Sequence, residues 1–314
     1  MGCFKRSQKK YVRKDYKISN WAAYDKALEK RGSINLWISD QAINKWKAKK
    51  NGNFCGQRHY SDFAIETALT IRIVYKLPWR QTRGFLISLF EGMGVDLEVP
   101  SHSIMSRRAK RLGDIKLQNL NSNDPLDILI DSTGVTVHPG NQRKTPKLRD
   151  WRKFHAVVDL KSKQIISAQL SSNKVQDATK VKSLVKKIKQ PIKSARADSA
   201  YDKNKVYKVI EDHSMNHSPR VIVLPMKNAK VSKSSSRERN KNIKSRDRMG
   251  SRKWVSKSGY NKRSTIENTF YRYKIIIGPS LGARTFQGQN VELKMGCKIL
   301  NRMTSLGMPK TSEK

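Results

Sequence analysis

Apolar residues along this chain first recur at helical spacing, then switch to short continuous runs, then return to helical spacing. From residue 59 to 113 the period is helical. Ser61 is placed to cap a helix through Leu77, which Pro78 follows. Gln81 to Phe90 puts Phe85, Leu86, Leu89 and Phe90 on one face, and Gly92 or Gly94 ends it. Ser101 caps a third helix, SHSIMSRRAKRL, stopped by Gly113. It turns Ile104, Met105 and Leu112 inward and Arg107, Arg108, Lys110 and Arg111 outward.

The runs after residue 125 read as strands. LDILIDST is nearly continuous in apolar residues, as a strand buried on both faces requires, with Asp127, Leu129 and Asp131 on one face. A basic loop, HPGNQRKTPKLRD, follows. WRKFHAVVDL and QIISAQLSS are two more strands. Asp177 caps a helix bearing Val181, Leu184, Val185 and Ile188. SARADSAYD is a short strand ending at Asp198, Tyr201 to His213 a helix, and RVIVLP a fifth strand. Lys227 to Arg263 holds fourteen basic and two acidic residues and reads largely as loop. In the last helix, from Tyr260, Ile266, Phe270, Tyr273 and Ile277 form a core stripe. Tyr260, Arg263, Glu267, Tyr271 and Lys274 form a second row beside it. Three adjacent strands followed by strand–helix alternation imply an α/β fold, a mixed sheet with helices on its faces.

Composition adds a partner. Lys and Arg number 66 against 25 Asp and Glu, a net charge of +41 over 314 residues, and a polyanion is the default ligand of such a chain. No run of about 18 apolar residues spans a bilayer. The opening MGCFKR has Arg6 where an acylation signal needs Ser or Thr, and it lacks the apolar centre of a signal peptide. The expectation is a cytoplasmic protein with no membrane partner. Cys3, Cys55 and Cys297 are too scattered for a disulfide framework, and His213 and His217 lack the upstream Cys pair of a zinc finger. The three helices of 59–113 are similar to a helix-turn-helix with a basic last helix. A helical bundle with a basic face fits equally, because about nine residues join the second and third helices. The tryptophans Trp21, Trp37 and Trp46 lie in a basic N-terminal region whose KWKAKKNGN reads as an exposed loop.

Acids are scarce, so isolated ones stand out. Asp131 closes the first strand and Asp198 the fourth. If those strands are parallel neighbours, both carboxylates emerge at one sheet edge, where open sheets hold ligands. Glu267, from a helix packed on the sheet, completes a set of three. Carboxylates so placed call for a cation, and Mg²⁺ is the hard ion that takes such oxygens. Asp159, Asp177 and Asp202 are read as caps or surface residues, and either site Asp alone is also an ordinary turn or cap residue.

These residues resemble the DDE transposases of bacterial insertion sequences, and most closely the group called insertion sequence five. That signature is Tyr, two residues, Arg, three residues, Glu, six residues, Lys; Tyr260, Arg263, Glu267 and Lys274 fit it without a gap. Asp131 in DST and Asp198 in ADSAYD are similar to the other two motifs, and the likeness covers roughly residues 59–304. It implies a ribonuclease H-like fold, with Asp131, Asp198 and Glu267 as a catalytic, metal-binding triad for Mg²⁺ or Mn²⁺. Tyr260, Arg263 and Lys274 would contact DNA, as would Arg107, Arg108 and Arg111 of the helical region. The implied activity is nicking at the ends of an element and transfer of the freed 3′-hydroxyl to target DNA. The implied partners are double-stranded DNA, as element ends and target, and further copies of the chain in a homo-oligomer on the nucleoid. The organisation expected is a basic N-terminal region (1–58), a helical DNA-binding region (59–113), a linker (114–125), a catalytic domain (126–304) with a basic insertion (227–259), and a tail (305–314). The alternative is a catalytically silent DNA-binding protein derived from a transposase. An RNA-binding protein has no use for three carboxylates at these places and would carry aromatic motifs absent here.

Overall fold

The computed structural model describes residues 15–38, 43–49, 59–113, 115–117, 124–137, 151–214 and 218–313. The MGCFKR opening, the basic loop 138–150, His217, and parts of KWKAKKNGN and of the 114–125 linker lie outside the described residues. The N-terminal part runs β1 (Tyr16–Ile18), α1 (Trp21–Gly32), α2 (Ile34–Trp37), α3 (Asp62–Val74), α4 (Trp79–Gly92) and α5 (His102–Ala109). Ser61 accepts from the Ala64 amide (3.0 Å) and Ser101 from Ile104 (3.3 Å), so both predicted caps form. Trp46 is not on an exposed loop. It is 1% exposed, stacks edge-on with Phe90 at 4.9 Å and donates its indole N–H to the Glu98 carbonyl. A large apolar ring with one donor found both a pocket and an acceptor, and the lysines beside it did not prevent that.

The central part contains β2 (Leu126–Val137), β3 (Trp151–Asp159), β4 (Ile165–Ser172), a 3₁₀ turn (Asp177–Lys180) running into α6 (Val181–Val185), β5 (Ile192–Ala197), a 3₁₀ turn (Ser199–Tyr201), α7 (Asn204–His213) and β6 (Arg220–Val223). The sheet order is β4-β3-β2-β5-β6. β3 runs antiparallel to both neighbours, while β2, β5 and β6 are mutually parallel. The predicted mixed sheet is therefore present. Along β2, Ile128 and Ile130 join the core with Val181, Leu184, Val206 and Tyr207, and Leu129 joins the opposite core with Phe270, Leu293 and Ile299. That second core continues without a break into Ile65, Leu86 and Met105 of the N-terminal helices.

Three readings need correction. Asp177 is not a cap: Gln176 holds that position, and Asp177 instead pairs with Lys153 at 3.1 Å. Asp202 is not a surface residue: its side chain is fully buried against Arg239 at 2.8 Å. The segment read as loop after β6 holds two helices, α8 (Arg237–Met249) and α9 (Ser251–Ser258). α8 has no apolar stripe to betray it. It is fastened by polar ties instead: Arg239 to Asp202, Asn242 to the Val221 carbonyl (2.7 Å), and Arg246 to the Met226 carbonyl (2.5 Å).

The chain closes with a 3₁₀ turn (Tyr260–Ser264), α10 (Thr265–Ile276), β7 (Ser280–Leu281), α11 (Phe286–Leu306) and β8 (Thr311–Glu313). β8 pairs with β1, so the expected tail is tied to the other end of the chain. The sequence reading contained no helix after α10, yet α11 is the longest among the described residues. It is buried on most sides, with Val291, Leu293, Met295, Cys297, Ile299, Leu300 and Met303 in the core, so its pattern carries no one-sided stripe. Its Asn301 bonds both the amide and the carbonyl of Ile165 on β4 (2.8 and 2.7 Å). Gly296 is where α10 and α11 meet. A Cβ there would lie 2.7 Å from the Tyr273 hydroxyl and 2.9 Å from Ile277, so only glycine permits this approach.

Candidate active site

Asp131 does not end its strand. β2 runs six residues beyond it to Val137, with Asp131 opposite Ala156 of β3. What ends is the pairing with β5, whose last rung is Ile130 with Ala197. The next residue on each strand is Asp131 and Asp198. The parallel neighbours thus bring both carboxylates to one edge, as expected, for the reason that β5 stops while β2 continues. Asp198 also caps the following 3₁₀ turn, accepting from the Ala200 amide at 2.9 Å. Capping that turn leaves Asp198 at the same edge as Asp131.

Glu267 arrives from α10, whose Ile266, Phe270 and Tyr273 are buried; the last two pack on Phe154 at 5.3 and 5.0 Å. The row predicted for this segment begins as a 3₁₀ turn and not as α-helix. Gly259, at φ +75°, closes α9 in the left-handed region that favours glycine and starts that turn. The turn is anchored from the sheet. Arg196, buried on β5, donates from Nε to the Gly259 carbonyl (3.1 Å) and from Nη1 to Ser194 Oγ (2.7 Å), and Ser194 in turn donates to Asp127. Asp127, Ser194 and Arg196 therefore position Tyr260 and Arg263, a role sequence reasoning missed. The only signal for it was the shared face of Asp127 and Asp131.

Arg263 is the hub. Its Nη1 lies 2.8 Å from Asp131 Oδ2, its Nη2 lies 2.6 Å from Glu267 Oε1, and its guanidinium stands 5.8 Å from the centre of the Tyr260 ring. Asp131 also accepts from the Ser132 amide (2.8 Å). Lys274 donates to Thr133 Oγ1 at 2.8 Å, two residues along β2 from Asp131. Burial pushes the Asp131 carboxyl up to about 6; the Ser132 amide and Arg263 oppose this, while the charges of Asp198 and Glu267 add to it. Burial disfavours the Arg263 charge, but Tyr260, Asp131 and Glu267 together hold its pKa above the ordinary value. The Tyr260 hydroxyl is raised, chiefly by burial.

Among the described residues no group of three or more His, Cys, Asp or Glu side chains is arranged to hold a metal ion. A guanidinium stands between Asp131 and Glu267 instead. The donor set still fits a hard divalent cation in kind: carboxylate oxygens, one of them made more basic chiefly by burial and further by two negative neighbours.

Of the helical-region arginines, Arg107 and Arg111 are exposed. Arg108 is not available: it donates to the Tyr60 carbonyl (2.5 Å) and to Asp62 (2.6 Å), locking α5 to the start of α3. A side chain pointing off the helix at the right period found a carboxylate from another element, which periodicity cannot foresee.

Two family profiles, both described as Transposase DDE domain, match this chain, one over residues 29–139 and the other over residues 122–302. The second covers more than half of the chain and includes Asp131, Asp198 and Glu267. Among solved structures, the cryo-EM structure of piggyBac transposase in a synaptic complex with hairpin DNA is similar at a TM-score of 0.39 and 11% identity. That likeness covers 89% of this chain and 74% of that one.

Proposed function

Because the chain belongs to the DDE-domain transposases, we propose that it binds the ends of its own insertion sequence and catalyses divalent-metal-dependent strand cleavage and strand transfer. One observation carries this reading: Asp131 and Glu267 share Arg263, and the Asp198 charge acts on the same Asp131. Asp131, Asp198 and Glu267 would hold Mg²⁺ or Mn²⁺. When bound, such an ion activates the attacking water or 3′-hydroxyl and stabilises the leaving oxygen of the phosphodiester. The chain's own residues supply the rest. Arg263 is close enough to exchange a carboxylate for a phosphate oxygen, and Glu267, more than half exposed, is the partner it gives up most readily. Lys274, steadied by Thr133, and Tyr260, steadied through Gly259 by Arg196, flank the carboxylates as DNA contacts.

The strand order supports a ribonuclease H-like fold: a three-strand antiparallel meander followed by two parallel strands reached through helices. The gapless spacing from Tyr260 to Lys274 supports the insertion sequence five group. Exposed Arg107 and Arg111 support the helical region as a DNA-binding unit. No helix among the described residues is long and apolar enough to cross a membrane. Two DNA ends call for at least two copies of the chain acting together. The proposed domain limits are those stated above, with the 227–259 insertion built of helices.

The catalytically silent reading has one observation of its own, the guanidinium standing between two of the carboxylates. Glu267→Gln separates the two. In an excision assay with Mg²⁺, the variant should fall to background while duplex binding in chelator is kept. Excision retained by Glu267→Gln would overturn the triad.

A further inference from the structure

A second basic site lies away from the carboxylates, where the helical region meets the end of the sheet. A cavity of about 800 Å³ opens between α3, α4, α5 and the segment joining β7 to α11. Five cationic side chains line it: Arg72, Arg80, Arg107, Lys110 and Arg284. The one acid in its lining is Glu292, and that charge is already engaged. Glu292 accepts from the Gly282 and Ala283 amides (3.1 and 2.8 Å) and faces Arg72 at 3.6 Å. Arg80, Arg107 and Arg284 are exposed, and with Lys110 they have no ion-pair partner among the described residues. The N-termini of α4, α5 and α11 open onto the same space, adding partial positive charge. In a chain of +41 a basic surface is commonplace. A concave one, built from two separate parts of the chain and with its single acid neutralised, is not.

We propose that this cleft seats the phosphodiester backbone of duplex DNA on its way to the carboxylates. The inference rests on the transposase reading and deepens it: Arg107 is already a DNA contact there, and the cleft adds Arg80, Lys110 and Arg284 to it. β7, which leads directly into Gly282 of the cleft lining, pairs with β2 at Thr136 and Val137, and Asp131 lies on that same strand. Thr136 is five residues beyond Asp131, about 17 Å along β2 at the usual strand rise. At about 3.4 Å per base pair this is roughly five base pairs of duplex. The cleft is thus placed to grip DNA flanking the scissile phosphate, beyond the base pairs at the site itself. Rigid attachment of α3, α4, α5 and α11 to one core holds that spacing constant.

The test is salt-titrated fluorescence anisotropy of the full chain with a labelled DNA duplex in chelator, so that cleavage is silent. The cleft variant is Arg80→Gln, Arg107→Gln and Arg284→Gln together. The control is Lys182→Gln, Lys186→Gln and Lys189→Gln, which removes equal charge from exposed positions on the α6 side of the sheet. The cleft triple should lower the slope of log affinity against log salt by about 2.7, at about 0.9 per phosphate contact, and the control should lower it by less than about 1. Arg284→Gln alone, on an exposed connection, carries the same prediction at about 0.9 and stands in if the triple fails to fold. Equal slopes for the two triples would make the effect one of net charge and overturn the cleft. Tighter binding of an RNA duplex through the same three arginines would show that DNA is the wrong polyanion. Absence of duplex binding by the wild type would instead defeat the transposase reading, which the cleft variants alone cannot do.

Discussion

Asp131 and Asp202 are both aspartates beside an arginine, and they have opposite fates. Asp202 is closed. Its side chain has no exposure, one oxygen takes Arg239 Nε at 2.8 Å, and the other takes the Met226 amide at 3.0 Å. The pair ties α8 to the turn after β5. Asp131 is open. It has one arginine shared with Glu267, two negative neighbours, and a pKa pushed up to about 6, mainly by burial. Closed pairing consumes a carboxylate as structure. Incomplete pairing leaves one that a cation would relieve, and such unrelieved groups mark functional sites.

The sharpest way to break this contrast is to neutralise each acid. Asp131→Asn should abolish metal-dependent cleavage while leaving thermal unfolding at pH 8 unchanged or improved. Asp202→Asn should cost about 3–5 kcal/mol in denaturant unfolding, because it strands Arg239 in a buried position. A stable Asp202→Asn protein, or an unfolded Asp131→Asn protein, would cancel the distinction. Next in size is Gly296→Ala, expected to cost about 1–3 kcal/mol by forcing α10 off α11. Since α10 carries Glu267, cleavage should fall further than the stability loss explains. Arg108→Gln comes after that: about 1–2 kcal/mol of stability from two lost hydrogen bonds, with the salt slope of DNA binding unmoved.

The smallest effect is in pH, and it has two opposing parts. His155, wholly buried against Ser171 at 2.7 Å, has its pKa lowered to about 4, chiefly by desolvation. Its unfolded form binds the proton more readily, so stability falls as pH drops from about 6.5 towards about 4. Asp131 is raised to about 6, so its folded form holds the proton more readily, and stability rises as pH drops from about 6 to about 4. In the wild type these slopes offset each other. His155→Gln should show stability rising with acid over this window, and Asp131→Asn should show it falling. Parallel curves for the two variants would refute both assignments.

Much of the fold was legible for local reasons. Period two in β2 placed Leu129 in one core and Ile128 and Ile130 in the other, and Ser61 and Ser101 capped the helices they precede. α8 escaped because Ile243 is the one residue of its thirteen that belongs to the apolar core, and α11 because burial on most sides erases the stripe. The site was legible in identity, through the spacing from Tyr260 to Lys274 and the two aspartates, but not in arrangement. Neither the 3₁₀ turn that delivers Arg263 nor the Arg196 anchor beneath it has a signature along the chain.

The mixed α/β architecture, the basic character and the residues of the candidate site follow from side-chain period, composition and spacing alone. Which charges are spent depends on the packed fold. Arg108 and Asp202 went to structural pairs, Arg263 to a bridge between carboxylates, and Arg80, Arg107 and Arg284 line a cleft with no ion-pair partner among the described residues. The physical reason is that an ion pair depends on distance and burial, and both are set by residues far away in the chain: 46 positions for Arg108 with Asp62, and 132 for Arg263 with Asp131.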